Sequence, residues 1–238
     1  MFETMPLTFA FLGGVFPAVM WLWLWLKEDG RHPEPKRLIF LTFIMGAGAV
    51  AVVLPLQIFV KKTFGNDDAV VFFLWAVIEE VCKYGAAFVF GLRTKALDEP
   101  IDTIMYMLTA ALGFAAFENT LFLINPALAG NVFDTIITGS QRFIGATLLH
   151  VLCSSVVGIF MAFAFFKGRS ARQTFTVLGL ILAIALHTLF NLSIIDGSGL
   201  HTFATFVTLW TLVLALLLLF EKVKRLRSPE PQADTLIS

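Results

Sequence analysis

Two adjacent glutamates, Glu79 and Glu80, stand in the middle of a stretch, Ala69–Leu92, that is otherwise apolar or small apart from Lys83 one turn on. A carboxylate at the centre of a bilayer costs about 2.5–3.5 kcal/mol on insertion scales, so ionisable residues held there point to function. Glu79 and Lys83 are four residues apart and share a helix face. Glu79 and Glu80 point about 100° apart and cannot both face one centre squarely. One of them is therefore expected to face the reaction centre, and the other to pair with a basic group such as Lys83 or Arg142. The remaining costly residues are Glu118 with Asn119, Arg142, His150, and His187 with Asn191 one turn later.

Carboxylates with two histidines suit the activation of water. A glutamate can deprotonate water, and an imidazole can protonate or stabilise a developing oxyanion. The same residues suit a metal: Glu79, Glu118, His150 and His187 offer the oxygen and nitrogen donors of a zinc site with an open position. No obligatory cofactor is expected, and zinc or another divalent metal is the alternative. Neither an HExxH helix nor a GxSxG elbow is present. Ser154 and Ser155 follow His150 too closely to form a Ser–His pair with it. Asp102 stands alone near a span end, which disfavours a paired-aspartate protease and suits a helix cap. Cys82 and Cys153 both fall in apolar segments, so no disulfide framework is expected and Cys82 is read as a small buried residue. His32 and His201 are read as exposed loop residues.

What must position these groups is a membrane bundle. The 238 residues are 58% hydrophobic and 14% charged, against about 25% charged in soluble domains. The formal net charge is zero, so global charge predicts no partner, and no nucleic acid is expected. Seven stretches are long enough to span: Leu7–Leu26, Leu38–Val60, Ala69–Leu92, Ile101–Ile124, Gln141–Phe166, Thr174–Ile195 and Thr202–Phe220. Asn125–Ser140 is read as the longest loop, and Trp21, Trp23 and Trp25 as an interfacial anchor. No basic residue precedes the first span, so no cleavable signal peptide is expected. Glycines 46, 48, 85, 113, 145, 158 and 179 are read as sites of close helix approach.

Thirteen of the Lys and Arg residues fall in the first, third and fifth connections and the tail, and only Lys61 and Lys62 in connections on the other side. Positive charge stays inside, so the fold class is all-α: a polytopic seven-transmembrane-helix bundle, N-terminus outside and C-terminus cytoplasmic. Residues 1–227 form one transmembrane domain with its chemistry on 69–195, and 228–238 a disordered tail. At 1.5 Å per residue, Glu79, Glu118, His150 and His187 then all lie roughly 9–15 Å below the outer surface. One layer for four separate helices implies one polar site facing the bundle interior.

These residues resemble the PrsW-type intramembrane proteases. Glu79-Glu80-Val81-Cys82-Lys83 is similar to that family's EExxK element. Pro100, Asp102, Tyr106 and then Gly113-Phe114 through Glu118-Asn119 resemble its PxDxxxY…GFAxxEN stretch. Arg142, His150 and Gly158 fit a third element, and His187 with Asn191 an HxxxN element. The family is related to the CAAX prenyl protease and bacteriocin-processing superfamily. The resemblance implies an intramembrane endopeptidase of the cytoplasmic membrane of a prokaryote, acting on membrane-anchored protein substrates such as anti-sigma factors. It implies Glu79 as the water-activating base and His187 with Asn191 as binders of water or oxyanion. Glu118 and His150 then fill positions peculiar to PrsW-like chains, and Glu80, Lys83, Asn119 and Arg142 support them. The family has been labelled both a metalloprotease and a glutamic-type protease. From the residues alone, a proton-coupled transporter or ion-conducting protein and a non-catalytic scaffold are the rival readings. No inverted repeat or pair of broken spans supports the transporter.

Overall fold

Apart from Asp102 in its first turn, the stretch Pro100–Phe117 is free of charged residues around its whole circumference, with Ala, Gly and Thr among Met, Leu and Phe. A helix with no wet face belongs inside a bundle. In the computed structural model of the chain, which describes residues 4–28, 33–195 and 199–226, every residue from Pro100 to Ala116 is buried. The elements are α1 (Thr4–Glu28), α2 (Lys36–Phe64), α3 (Asp68–Ala87), α4 (Pro100–Leu128), α5 (Val132–Gln141), α6 (Thr147–Phe163), α7 (Arg169–Ile195) and α8 (Gly199–Val223). Two π-helical turns, Phe88–Leu92 after α3 and Arg142–Ala146 between α5 and α6, carry the chain on without a break. No strand is present among the described residues. His32, Arg31, Arg227 and the tail 228–238 lie outside them.

Six helical runs are long and apolar enough to cross a membrane: α1, α2, α4, the continuous 132–163 run, α7 and α8. The expected span Ala69–Leu92 is also one helical run, α3 with its π turn. Glu79, Glu80 and Lys83 in its middle set it apart from the apolar six. Helix α4 is the hub, packed against α1, α2, α3, α5 and α6; α3 closes the bundle against α2 and α7.

Asn125–Ser140, expected as a loop, is mostly helix. Helix α4 runs through Pro126 to Leu128, and α5 starts at Val132, so the fifth span begins earlier than Gln141. The Asn131 side chain supplies the cap: its Oδ1 accepts from the Asp134 N–H at 3.1 Å. Of the expected tryptophan anchor, Trp23 is exposed, with Lys27 over its ring at 3.5 Å. Trp25 instead turns inward and packs edge-on against Phe220. Asp102 caps α4, accepting from the N–H groups of Asp98 at 3.0 Å and Glu99 at 2.6 Å.

Small residues let α2 and α4 touch backbone to backbone. A Cβ on Gly46 would lie 2.0 Å from the Ala110 carbonyl oxygen, and one on Gly113 would lie 2.0 Å from that of Phe43. Gly158 meets Ile104 of α4 in the same way, at 2.6 Å from its Cα. Gly48 and Gly85, expected to serve close approach, border open space instead. Their helix faces turn away from the neighbouring helices. Overpacking a close contact costs about 1–3 kcal/mol, whereas Gly→Ala in an open helix position gains about 0.5–1 kcal/mol. Gly113→Val should therefore lower the thermal midpoint of the detergent-solubilised protein by several degrees, and Gly48→Ala should leave it unchanged or raise it.

Candidate active site

The polar residues of four separate stretches meet at one point. Lys83 is wholly buried and binds Glu80: its Nζ is 2.5 Å from Glu80 Oε1 and 3.9 Å from Glu79 Oε2. Glu80 Oε1 also lies 2.8 Å from His187 Nδ1. Arg142, in the π turn before α6, donates to Glu118 Oε2 at 2.5 Å and to Asn119 Oδ1 at 2.6 Å. His150 Nε2 lies 3.1 Å from the same Glu118 oxygen. Asn119 Nδ2 donates to Thr147 Oγ1 at 2.9 Å. The two imidazole rings stand edge to face, with centroids 5.3 Å apart.

These partners set the tautomers. Glu80 and Glu118 are carboxylates already bound to Lys83 and Arg142, and an ionised carboxylate only accepts hydrogen bonds. His187 therefore donates from Nδ1, and His150 donates from Nε2. The opposite nitrogens, His187 Nε2 and His150 Nδ1, present lone pairs. Both are turned toward Glu79 Oε2, at 3.6 and 3.9 Å. Glu79 Oε1 is held by Gln57 Nε2 at 2.8 Å. Glu79 Oε2, which is buried, has no hydrogen-bond donor among the described residues. Three acceptors thus converge on one space, and Lys83 Nζ reaches one of them, His150 Nδ1, at 2.9 Å.

That space belongs to a cavity of about 1000 Å³. Glu79, Glu118, Arg142, His150, His187 and Asn191 all line it, and Glu80 does not. The two glutamates divide as their angular separation requires: Glu79 faces the cavity and Glu80 turns to Lys83. Glu118, Asn119, Arg142, His150 and His187 are brought together with them. Asn191 stands on the cavity wall one turn beyond His187. Ser154 and Ser155 are buried with their hydroxyls unbonded and away from the cavity. Cys82 is only half-buried, because it packs on the edge of the Val50–Val53–Phe114 cluster rather than inside it. His201 is exposed.

Sequence reasoning missed three contributors. Gln57 on α2 fixes Glu79, and its backbone carbonyl accepts from Trp75 Nε1 at 3.1 Å. A lone amide in an otherwise apolar span was the signal. Cys153 lies with Glu80 and His187 behind the centre, one donor atom of each within 4.8 Å of the others. At the far end of α4, buried Glu34 accepts a hydrogen bond from the Tyr106 hydroxyl, tying the link before α2 to the core.

The donor set fits a divalent metal. One donor atom from each of Glu79, His150 and His187 lies within 4.8 Å of the others. Zinc ligands at about 2.0–2.2 Å in a tetrahedron sit roughly 3.3–3.6 Å apart, close to the 3.6 and 3.9 Å separations from Glu79 Oε2. Each histidine also has the carboxylate partner that metal-binding imidazoles use to fix their orientation. An acidic residue takes that second place for both: Glu118 for His150 and Glu80 for His187.

Fold and site together define a polytopic α-helical membrane protein with a buried carboxylate–imidazole centre opening on a cavity. A family profile described as PrsW family intramembrane metalloprotease matches residues 34–219. The chain belongs to this family. It is similar to Protease PrsW of Shouchella clausii (30% identical over 63% of this chain and 66% of that protein, just under two thirds of its length). It also resembles the proteins of the same name from Bacillus subtilis (27%, over 73% of this chain and 77% of that protein) and Oceanobacillus iheyensis (26%, over 89% and 93%). No solved structure matches the chain significantly.

Removing one partner of a buried ion pair costs about 3–5 kcal/mol, because the other charge is stranded. Lys83→Met should sharply lower the thermal midpoint in detergent. Adding Glu80→Gln to that variant should recover much of the loss.

Proposed function

We propose that this protein is a metal-dependent intramembrane endopeptidase that hydrolyses peptide bonds of membrane-anchored protein substrates. The observation that carries the reading is the convergence of Glu79 Oε2, His150 Nδ1 and His187 Nε2 at the cavity. Glu79, His150 and His187 would hold a divalent ion such as zinc, with Glu118 behind His150. Bound there, such an ion would acidify a coordinated water and polarise a peptide carbonyl.

The chain's own residues do the rest. Glu80 and Glu118 keep the imidazole protons at His187 Nδ1 and His150 Nε2, so the opposite nitrogens carry lone pairs, and the Lys83 ammonium would have to leave Nδ1 for His150 to hold an ion. Gln57 holds Glu79 so that Oε2 alone faces the cavity. Lys83 and Arg142 balance Glu80 and Glu118. Arg142 and Asn191 are hydrogen-bond donors on the cavity wall, placed to receive a substrate carbonyl. In this reading His187 accepts rather than donates, which differs from the oxyanion role that family resemblance implies.

A second reading has its own support. Lys83 Nζ lies 2.9 Å from His150 Nδ1 and occupies the lone pair a metal would need. In that reading no metal is obligatory: Glu79 takes the proton of a water, and the hydroxide attacks the scissile carbonyl. Family membership weighs against the proton-coupled transporter, which would use the same Glu/His/Arg cluster.

The wider frame of the proposal is a seven-span domain over residues 1–227, with the N-terminus outside and the C-terminus cytoplasmic, in the cytoplasmic membrane of a prokaryote. The Lys/Arg asymmetry supports the orientation, and the unbroken 68–92 run supports α3 as the seventh span. Substrates of the anti-sigma-factor kind would suit such a site.

Comparing membrane proteomes of cells carrying wild type or Glu79→Gln should show a membrane protein that accumulates only in the variant. In proteoliposomes, Glu79→Gln and His187→Ala should each lower cleavage of that protein by about 10²–10⁴-fold; the thermal midpoint should hold in Glu79→Gln and fall in His187→Ala, which removes a buried partner of Glu80. Full activity in either would overturn the site. Purified wild type should carry about one metal ion per chain, lost in His187→Ala, and chelation should abolish cleavage. Metal-free protein with full, chelator-resistant activity would replace the metal reading with the glutamate-base one.

A further inference from the structure

Helices α2 and α4 touch below the site and part beside it. Their backbones cross with nothing between them at Gly46 and Gly113. Val50 and Val53 close on Phe114 just above the crossing. Beyond that cluster the cavity lies between the two helices, with Leu54 and Ile58 on one wall and Leu121 and Phe122 on the other. Leu54, Ile58 and Phe122 line this cavity and are also 37%, 56% and 54% exposed. On this flank, between α2 and α4, the cavity is bordered by exposed apolar side chains, and it also meets Lys61 and Lys62 at the end of α2. Both helices belong to the apolar spanning set, so this flank faces the hydrocarbon around the bundle.

We propose that this gap between α2 and α4 is the route by which an apolar transmembrane polypeptide segment reaches Glu79. The inference rests on the peptidase reading of the site. The walls of the gap are apolar, which suits a segment arriving from the bilayer. Its inner end is polar. A polypeptide that unwinds at membrane depth must find partners for its freed N–H and C=O groups, and Gln57, Arg142 and Asn191 stand on the cavity wall to supply them. A lipid acyl chain has no use for those groups.

Each wall is also wired to the centre. Ile58 follows Gln57, whose amide holds Glu79. The Phe122 ring stacks on the Arg142 guanidinium at 3.7 Å, and Arg142 holds Glu118. A segment entering the gap presses on both helices that orient the carboxylates.

The test uses the full chain in proteoliposomes with a synthetic leucine-rich single-span peptide carrying a photoreactive residue at its centre. Cross-links should map to the segments around Leu54–Ile58 and Leu121–Phe122. They should be lost in Ile58→Trp/Phe122→Trp, which fills the opening at two exposed positions, while the thermal midpoint holds. Cross-links spread evenly over the outer helices, or concentrated on the apolar groove between α1 and α5 at Phe9 and Ile136, would overturn the route. So would labelling of the gap by a photoreactive phospholipid that excess peptide fails to displace. Cleavage of the same peptide is scored separately. Labelling of the gap without cleavage supports the route and counts against the peptidase reading; cleavage without such labelling does the reverse.

Discussion

Charge balance in a low dielectric governs this molecule. Buried ions persist only when paired and hydrogen-bonded. Three carboxylates, Glu79, Glu80 and Glu118, share the bundle interior with two permanent partners, Lys83 and Arg142. Lys83 is taken up chiefly by Glu80 and Arg142 by Glu118. Glu79 is left with an amide on one oxygen, while the other faces the His187 Nε2 lone pair and has Lys83 only at 3.9 Å. The negative charge that the protein does not neutralise is thereby concentrated at the cavity, where a cation or a proton from water would be drawn to it.

The fold serves this balance by keeping the participating helices close. Helix α4 is small-featured over much of its length, so α2 and α6 approach it at Gly46, Gly113 and Gly158. Close approach puts Gln57 of α2, Glu118 of α4 and His150 of α6 within reach of side chains from α3 and α7. No single helix carries more than part of the centre. Glu79 and Glu80 come from α3, and His187 from α7, whose mutual packing closes the ring.

Much of this was legible in the sequence because insertion cost makes polar residues conspicuous in apolar helices. Glu79, Glu118, His150 and His187 were placed in one layer by counting residues, and they meet. The angular separation of Glu79 and Glu80 anticipated that they would serve different partners. Lys83, equally near to both in sequence, pairs chiefly with Glu80; that choice depends on rotamers and on His187. Gln57 was visible but uninterpretable, since its meaning depends on the rotation of α2 about its own axis. Helix α5 was hidden by Pro126, Gly130 and Asp134, which read as loop chemistry. Pro126 is accommodated inside α4, and Asn131 turns out to be a cap. The Glu34–Tyr106 bond joins residues 72 apart, and nothing local marks Glu34 as buried.

The π turn Arg142–Ala146 carries one more residue than an α-helical turn would hold. In an unbroken α-helix, residues eight apart point about 80° away from each other; with one residue taken up by the wide turn the offset falls to about 20°. That surplus lets Arg142 and His150 grip the same oxygen of Glu118 from one face of one helix. The site is consequently sensitive to the length of the chain as well as to its chemistry. Gain of a single codon between Phe143 and Ala146 would leave the side chains named above unaltered and yet swing Arg142 by about 100° off Glu118, whereas loss of one would only tighten the wide turn into an α turn, so insertions, more than substitutions, are what this stretch has to resist in evolution.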